Sequence, residues 1–516
     1  MATVQRVDGD LLGFFRLAFG LVNAVGALKT LVQKPINFQF HFTYQGWPVP
    51  MLGETAYVVL VWTTFFSALG IASGRATRFW AWTYFLSYGY WFLLEKSNFN
   101  NHYYLILILA FFWAMLGDGG FLGWRRGPGR EIPLWHLQLF RAQLVLVYFF
   151  GGISKLHRDW FLGNPMRDWL AAHSSWLSQQ ALLFSWGGLL FDLLIGPALL
   201  YRRTRPLALL LALGFHLCNS QLFKIGVFPY LMMASLVLFL DPGSLRSRLP
   251  GFLKESPEPV REARPPHWGW AIFVIWQVLM PFRHHLYPGN VDWTGEGAHF
   301  AWRMKLLDRS GKIDFIVETP DGKKHLVDPR DELNYRQVKS MKGHPELIVD
   351  YAHHLRTRFE QPGQPPPKVR ALAWISVNHR KPQYLFDPQL DLGSLHLPLW
   401  GHNPHFLPWS SRVTENPRLA AWLQILLLPY LALAWWLASR RAGPPRLWKL
   451  CQLLVPVCLG LASVFPSLVW VQLALLGSLV ALLSSVASRA PLLSLYSVYQ
   501  WLWIWAIWLA RTPEAG

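Results

Sequence analysis

Cysteine and acidic charge are both scarce in this chain. Three cysteines, Cys218, Cys451 and Cys458, are spread over 516 residues, each inside an apolar segment. Such a set provides neither a disulfide framework nor the ligand spacing of a zinc site. Charged residues make up only 15% of the chain, against about 25% in an ordinary soluble domain. Acids are the rarer sign, with 29 Asp and Glu against 48 Lys and Arg. No Gly-rich phosphate loop, Ser-His-Asp order or metal-spaced His/Cys cluster stands out. The HRD at 157–159 lacks every companion motif of a kinase catalytic loop, and the GHNPH at 401–405 is too isolated to make a metal site. The first residues, MATVQRVDGD, do not form a cleavable signal peptide. Leu11 begins an apolar run directly, so the first helix is expected to act as the insertion signal.

What the chain does have is apolar length. Hydrophobic residues make up 53% of it, with 29 tryptophans of the kind that gather at membrane interfaces. Apolar segments of spanning or near-spanning length fall at about 11–28, 55–73, 79–95, 103–117, 139–155, 182–201, 207–223, 225–240 and 268–282. A polar region follows at about 290–410, then further apolar segments at about 418–438, 449–464, 467–487 and 491–510. The net charge of +19 does not point to nucleic acid, because the basic residues sit in short clusters between spans. Those clusters alternate: Arg75 and Arg78; Arg125, Arg126 and Arg130; Arg202, Arg203 and Arg205; the 241–267 linker; then Arg440, Arg441, Arg446 and Lys449. This register places the N-terminus in the cytoplasm.

The opposite face receives the chemically unusual connections. They are EKSNFNNHYY at 95–104, SKLHRDW at 154–160, FHLCNSQLFKIG at 215–226, PFRHHLYPGNVDW at 281–293, and the whole polar region. A transporter would place its polar groups near the bilayer midplane on broken helices. Here histidine-bearing clusters gather near one surface instead. Lys155 closes an apolar helical run there. Snorkelling accounts for many such lysines, but a desolvated lysine also loses its proton more easily and can act as a base. Asn100 or Asn101 could serve as a helix cap. His216, Asn219, Ser220 and Gln221 could be polar glue between helices, and Trp293 and Trp302 belt or packing residues.

The polar region reads as mixed α/β. A strand at 313–318, a turn at Asp321-Gly322 and a strand at 324–327 make a hairpin pattern. An amphipathic helix is expected within 338–359, a strand at 369–377, and a second hairpin-like closure at Phe386-Asp387-Pro388.

Taken together, these stretches resemble the vitamin K-dependent γ-glutamyl carboxylase family. The matching pieces are FFRLAFG at 14–20, NNHYYL at 100–105, PLWHLQLFRAQ at 133–143, VYFFGGISKLHRDW at 147–160 and FHLCNSQLFKIGVFPYLMMAS at 215–235. They continue with PFRHHLYPGNVDWTG at 281–295, WRM at 302–304 and WISVNHR…FDP at 374–388. HFTY at 41–44 also looks like the broader bacterial family sharing this membrane domain. The match covers roughly residues 10–400. The resemblance implies oxidation of vitamin K hydroquinone by O2 to the 2,3-epoxide, coupled to loss of a γ-proton from a protein glutamate and addition of CO2. It implies Lys155 as the group that deprotonates the hydroquinone, with Asn101 and His102 at the same pocket. It implies that Tyr148, His216, Asn219, Gln221, Phe223, His284, Trp302 and Met304 bind the quinone. Lys305 and Leu307 depart from the family, which has a methionine and a histidine there. The disulfide pair of the animal enzymes has no counterpart, and apolar segments replace their lumenal β-rich end.

The expected protein is therefore a polytopic α-helical membrane protein with an inserted extra-membrane mixed α/β domain. Residues 1–285 would be the N-terminal transmembrane domain with the quinone site, 286–412 the extra-cytoplasmic α/β domain, and 413–516 the C-terminal transmembrane helices. Its partners would be membrane lipid, a quinone and a Glu-containing protein or peptide, with no nucleic acid. Its cofactors would be reduced vitamin K, O2 and CO2, without metal. A multi-pass bacterial inner-membrane location is expected, with the active site extra-cytoplasmic. The alternative is a quinone- or lipid-binding membrane protein of the same fold without turnover.

Overall fold

The computed structural model describes residues 4–33, 36–44, 49–117, 121–123, 130–248, 257–258, 268–395 and 401–409. The expected C-terminal spans, with Cys451 and Cys458, lie outside the described residues. The described residues divide into two compact units, one up to Leu146 together with Leu209–Trp409, the other Val147–Ala208.

In the first unit a short strand β1 (Arg6–Asp8) pairs antiparallel with β2 (Glu131–Pro133). Between them run α1 (Asp10–Gln33), α2 (Glu54–Ser73), α3 (Thr77–Leu94) and α4 (Asn101–Leu116), each packed on the next. Asp10 opens α1 as an acid in the first turn, where the helix dipole favours it. Its buried carboxylate accepts from the backbone N–H groups of Leu11, Gly243, Leu245 and Arg246. Arg16, wholly buried in α1, donates to the carbonyl oxygens of Ile71, Phe121 and Leu122. A buried cation needs such partners, so the arginine of the FFRLAFG stretch is a tie between elements.

Next come α5 (Leu134–Ile153), then the short helices α6 (Arg158–Phe161), α7 (Asn164–Ala171) and α8 (Ser175–Gln179), and α9 (Ala181–Leu200). α10 (Arg205–Leu222), α11 (Phe228–Ser235), α12 (Trp268–Leu279) and α13 (Val291–Thr294) complete the helical part. A 3-10 turn at Leu236–Phe239 extends α11, and another at Met280–Leu286, with Pro281 inside it, follows α12. Each apolar segment expected before residue 290 contains one of these helices. Among the described residues, α1, α2 and α9 are long and apolar enough to cross a membrane. The short helices α6 to α8 were not expected. α10 also runs through His216, Asn219 and Gln221, which the sequence reading placed in a turn between spans.

The polar region folds as a four-stranded antiparallel sheet in the order β4-β3-β5-β6. β3 (Arg309–Glu318) and β4 (Lys324–Val327) form the expected hairpin. β3 also pairs with β5 (Lys368–Val377) from Arg309↔Val377 to Glu318↔Lys368, and β5 pairs with β6 (Gln383–Tyr384). Ile313, Phe315 and Val317 alternate inward along β3 and meet Ala371, Ala373 and Ile375 in one buried cluster. Leu347, Ile348, Tyr351 and Leu355, on one face of a helix, close that cluster. The amphipathic helix expected within 338–359 is α15 (Glu346–Phe359), and a second helix, α14 (Tyr335–Gly343), precedes it. The break falls at His344-Pro345, because a proline disfavours helical backbone in the residue before it. A capping box between Asn334 and Gln337 starts α14.

Candidate functional site

Lys155 stands just past the end of α5, in the unit that also holds α6 to α9. It is buried, yet its Nζ has two oxygen partners, the Gly151 carbonyl at 2.9 Å and an Asp192 carboxylate oxygen at 2.5 Å. The Trp160 ring lies 5.2 Å from the Nζ. Trp160 is fixed by α6 and by donation from its indole N–H to the Ser185 carbonyl at 2.7 Å. Asp192 is the lone acid of α9, ALLFSWGGLLFDLLIGPALL. A single carboxylate in so apolar a helix is the signal that the sequence reading passed over. Tyr148, one of the expected quinone contacts, is buried in this same unit with its ring edge-on to Phe191 at 5.9 Å. The arrangement can hold a proton between an amine and a carboxylate away from water, and a proton so placed can move without solvent.

In the other unit, Asn100 caps α4 by accepting from the His102 backbone N–H. The cap leaves the Asn101 side chain for another task. Its Nδ2 donates to the Arg303 carbonyl at 3.1 Å, while its buried Oδ1 has no hydrogen-bond partner. The His102 ring is buried between Tyr103, at 4.6 Å, and Phe228, at 5.4 Å. Trp302 is fully buried and stacks on Tyr104 at 5.2 Å. The Tyr104 hydroxyl in turn accepts from Gln277 on α12 at 2.7 Å. The Trp302 indole N–H also has no hydrogen-bond partner. Two orphaned buried polar atoms in one neighbourhood are what a polar ligand would satisfy.

The segment that carries Trp302 is strained. Phe300, Trp302 and Lys305 all have positive φ, of 61°, 54° and 49°. Bulky residues rarely adopt that region, and such strain concentrates where function demands it. Arg303 pairs with Asp292 and so anchors the segment to α13. Met304 is half-buried in it. Lys305 places its Nζ 5.0 Å from the Phe223 ring. Lys305 keeps much of its surface exposed, and partial desolvation of its ammonium, with Lys339 nearby, lowers it from its ordinary value.

His284 lies in the 3-10 turn after α12, its Nδ1 against the Pro281 carbonyl at 2.8 Å. Burial, with Arg303 and His285 adding, lowers the imidazole well below its ordinary value and keeps it neutral. His216 is buried within α10 and Asn219 half-buried near its end. Gln221 is exposed and bonded to its neighbour Ser220 at 3.3 Å. Within this unit, then, Asn101, Trp302 and Met304 share one neighbourhood, and Phe223 joins its rim through Lys305. No such link draws in Gln221.

Residues 4–243 match the model of the HTTM domain, and residues 266–412 match that of the vitamin K-dependent gamma-carboxylase lumenal domain. With the two in tandem, the chain belongs to the vitamin K-dependent carboxylase family. No solved structure matches it.

Proposed function

We propose that this protein is a multi-pass membrane enzyme that oxidises vitamin K hydroquinone with O2, giving the 2,3-epoxide and water. The observation that carries the reading is the buried Lys155–Asp192 pair at the end of an apolar helix. A quinone with an isoprenoid tail dissolves in lipid, so its ring must be met by groups at membrane depth. Lys155 takes the hydroquinone proton after passing its own to Asp192. Asn101 and His102 act on the developing charge of the quinone oxygens. Tyr148, His216, Asn219, Gln221, Phe223, His284, Trp302 and Met304 bind the quinone. CO2 addition to the γ-carbon of a peptide glutamate follows where the enzyme couples the two reactions. The N-terminus is cytoplasmic, and residues 286–412 lie outside the cell membrane.

The test is epoxide formation from reduced vitamin K by the solubilised protein. Activity in the wild type and none in Lys155→Ala supports the reading, and no excess over that variant overturns it. Mass spectrometry of a Glu-rich peptide incubated with reduced vitamin K and CO2 then reads the carboxylation step.

A second reading is that the protein binds the quinone without turning it over. The ion pair favours it, because an ammonium held by a carboxylate and a carbonyl has no lone pair with which to act as a base. Quinone binding without oxygen uptake is its signature.

A further inference from the structure

Outside these residues, one other cluster of titratable groups stands out among the described residues. His299, His344 and Glu346 each offer one donor atom, and the three lie within 4.8 Å of one another. The His299 Nε2 and the His344 Nδ1 each stand 3.7 Å from the same Glu346 oxygen. Donors bound about 2.1 Å from a common metal stand roughly 3.3–3.7 Å apart at near-tetrahedral angles. The imidazole rings are parallel, 7° apart in plane with centroids 4.8 Å apart. Both the His299 Nε2 and the Glu346 Oε1 are buried without a hydrogen-bond partner. Two orphaned groups of complementary character, too far apart to bond each other, leave room for an atom between them.

The chain holds the three donors from separate places. His344 ends α14, its N–H bonded to the Ser340 carbonyl at 2.9 Å, and Glu346 opens α15. His299 comes from the loop before the strained segment, with Phe99 edge-on to its ring at 4.2 Å. Cations surround the cluster, but each is engaged. Lys96 bonds Asp350 at 2.7 Å. Arg309 donates to the carbonyls of Asp292, Trp293, Lys342 and Gly343, and Arg283 to that of His299. Burial pushes His299 down to about 3 and lowers His344 too. Neutral imidazoles and an ionised carboxylate are the forms that bind such an ion.

We propose that His299, His344 and Glu346 form a site for a divalent transition-metal ion of the zinc class, with a fourth position left to water. Two imidazoles and a carboxylate suit such an ion, whereas magnesium and calcium take oxygen ligands. The ion ties the 295–302 loop to the α14–α15 junction. No metal is expected from the sequence, where His299 lies far from the other two and leaves no ligand spacing to see.

The experiment uses the full chain in detergent, free of any polyhistidine tag and stripped with a chelator that is then removed. Zinc is added and bound metal counted by plasma mass spectrometry; cobalt(II) is added separately and its visible d–d absorption followed. The wild type is expected to bind about one equivalent per chain, and the His299→Ala/His344→Ala pair to lose affinity by more than about tenfold. Glu346→Gln, which keeps the side-chain shape, is the second arm should the double variant fail to fold. It is expected to weaken binding and shift the cobalt spectrum. Far less than one equivalent in the wild type, or a cobalt spectrum unchanged in Glu346→Gln, overturns the site and leaves an ion pair only.

Discussion

Lys155 and Asp192 face each other across 2.5 Å, both side chains about nine-tenths shielded from solvent. Burying two charges is costly, and only their mutual attraction and the added Gly151 carbonyl offset it. Losing one partner is therefore worse than losing both. Asp192→Asn is expected to destabilise the protein by about 3–5 kcal/mol. The double change Lys155→Met/Asp192→Leu is expected to recover most of that. Unfolding of the detergent-solubilised variants measures the difference. A double variant no more stable than Asp192→Asn would show that the pair is not coupled.

Asn101 reaches the Arg303 carbonyl through its amide N–H. Asn101→Ala removes that bond, worth about 1 kcal/mol, and frees the strained segment. Asn101→Asp is expected to be worse, because an acceptor would then face an acceptor. Epoxide formation should fall at least roughly tenfold in both. Unfolding curves separate the two variants. An aspartate variant as stable as the alanine one would contradict the assigned bond.

Gly297 has a φ of 73°, and a Cβ built on it would fall 2.5 Å from the His284 Cα. Only glycine allows the loop to lie so close to the 3-10 turn. Gly297→Ala is expected to cost more than about 2 kcal/mol through backbone strain and the displaced turn. A thermal midpoint equal to that of the wild type would rule out this close approach.

Glu95 stands one residue beyond α3, and its carboxyl accepts from the backbone of Phe42 and Ser97 and from the Gln337 side chain. Burial outweighs those bonds and raises it from 4.5 to about 7. A raised carboxyl means that the folded state holds the proton more tightly than the unfolded one. The stabilisation is full below pH 4.5 and is lost as pH rises to about 7. The change amounts to about 3 kcal/mol. Glu95→Gln is expected to flatten this part of the stability–pH curve. An identical slope in wild type and variant would assign the titration elsewhere.

The helices before residue 290 were legible because long apolar runs need no tertiary context. Helix ends were less so. Lys155 was read as the last residue of a span, whereas α5 ends at Ile153. The helix around Leu347, Ile348, Tyr351 and Leu355 was legible and is α15, whereas α14 ahead of it, short and mostly polar, was not. The β3–β5 pairing was out of reach, because two strands about fifty residues apart show no local mark of their register. Asn101 could be named from its setting, but not its bond to Arg303, a partner about two hundred residues away. Asp192 was readable and was missed.

Three bulky residues in left-handed backbone, Phe300, Trp302 and Lys305, sit between α13 and β3. Such a segment keeps its shape only while its neighbours enforce it, here Asn101 and Tyr104 from α4. Helix and loop are consequently a matched set. A chimaera that swaps in a relative's sheet domain must carry over its own 300–305 equivalent together with the residues that face it, or the graft will relax at this join.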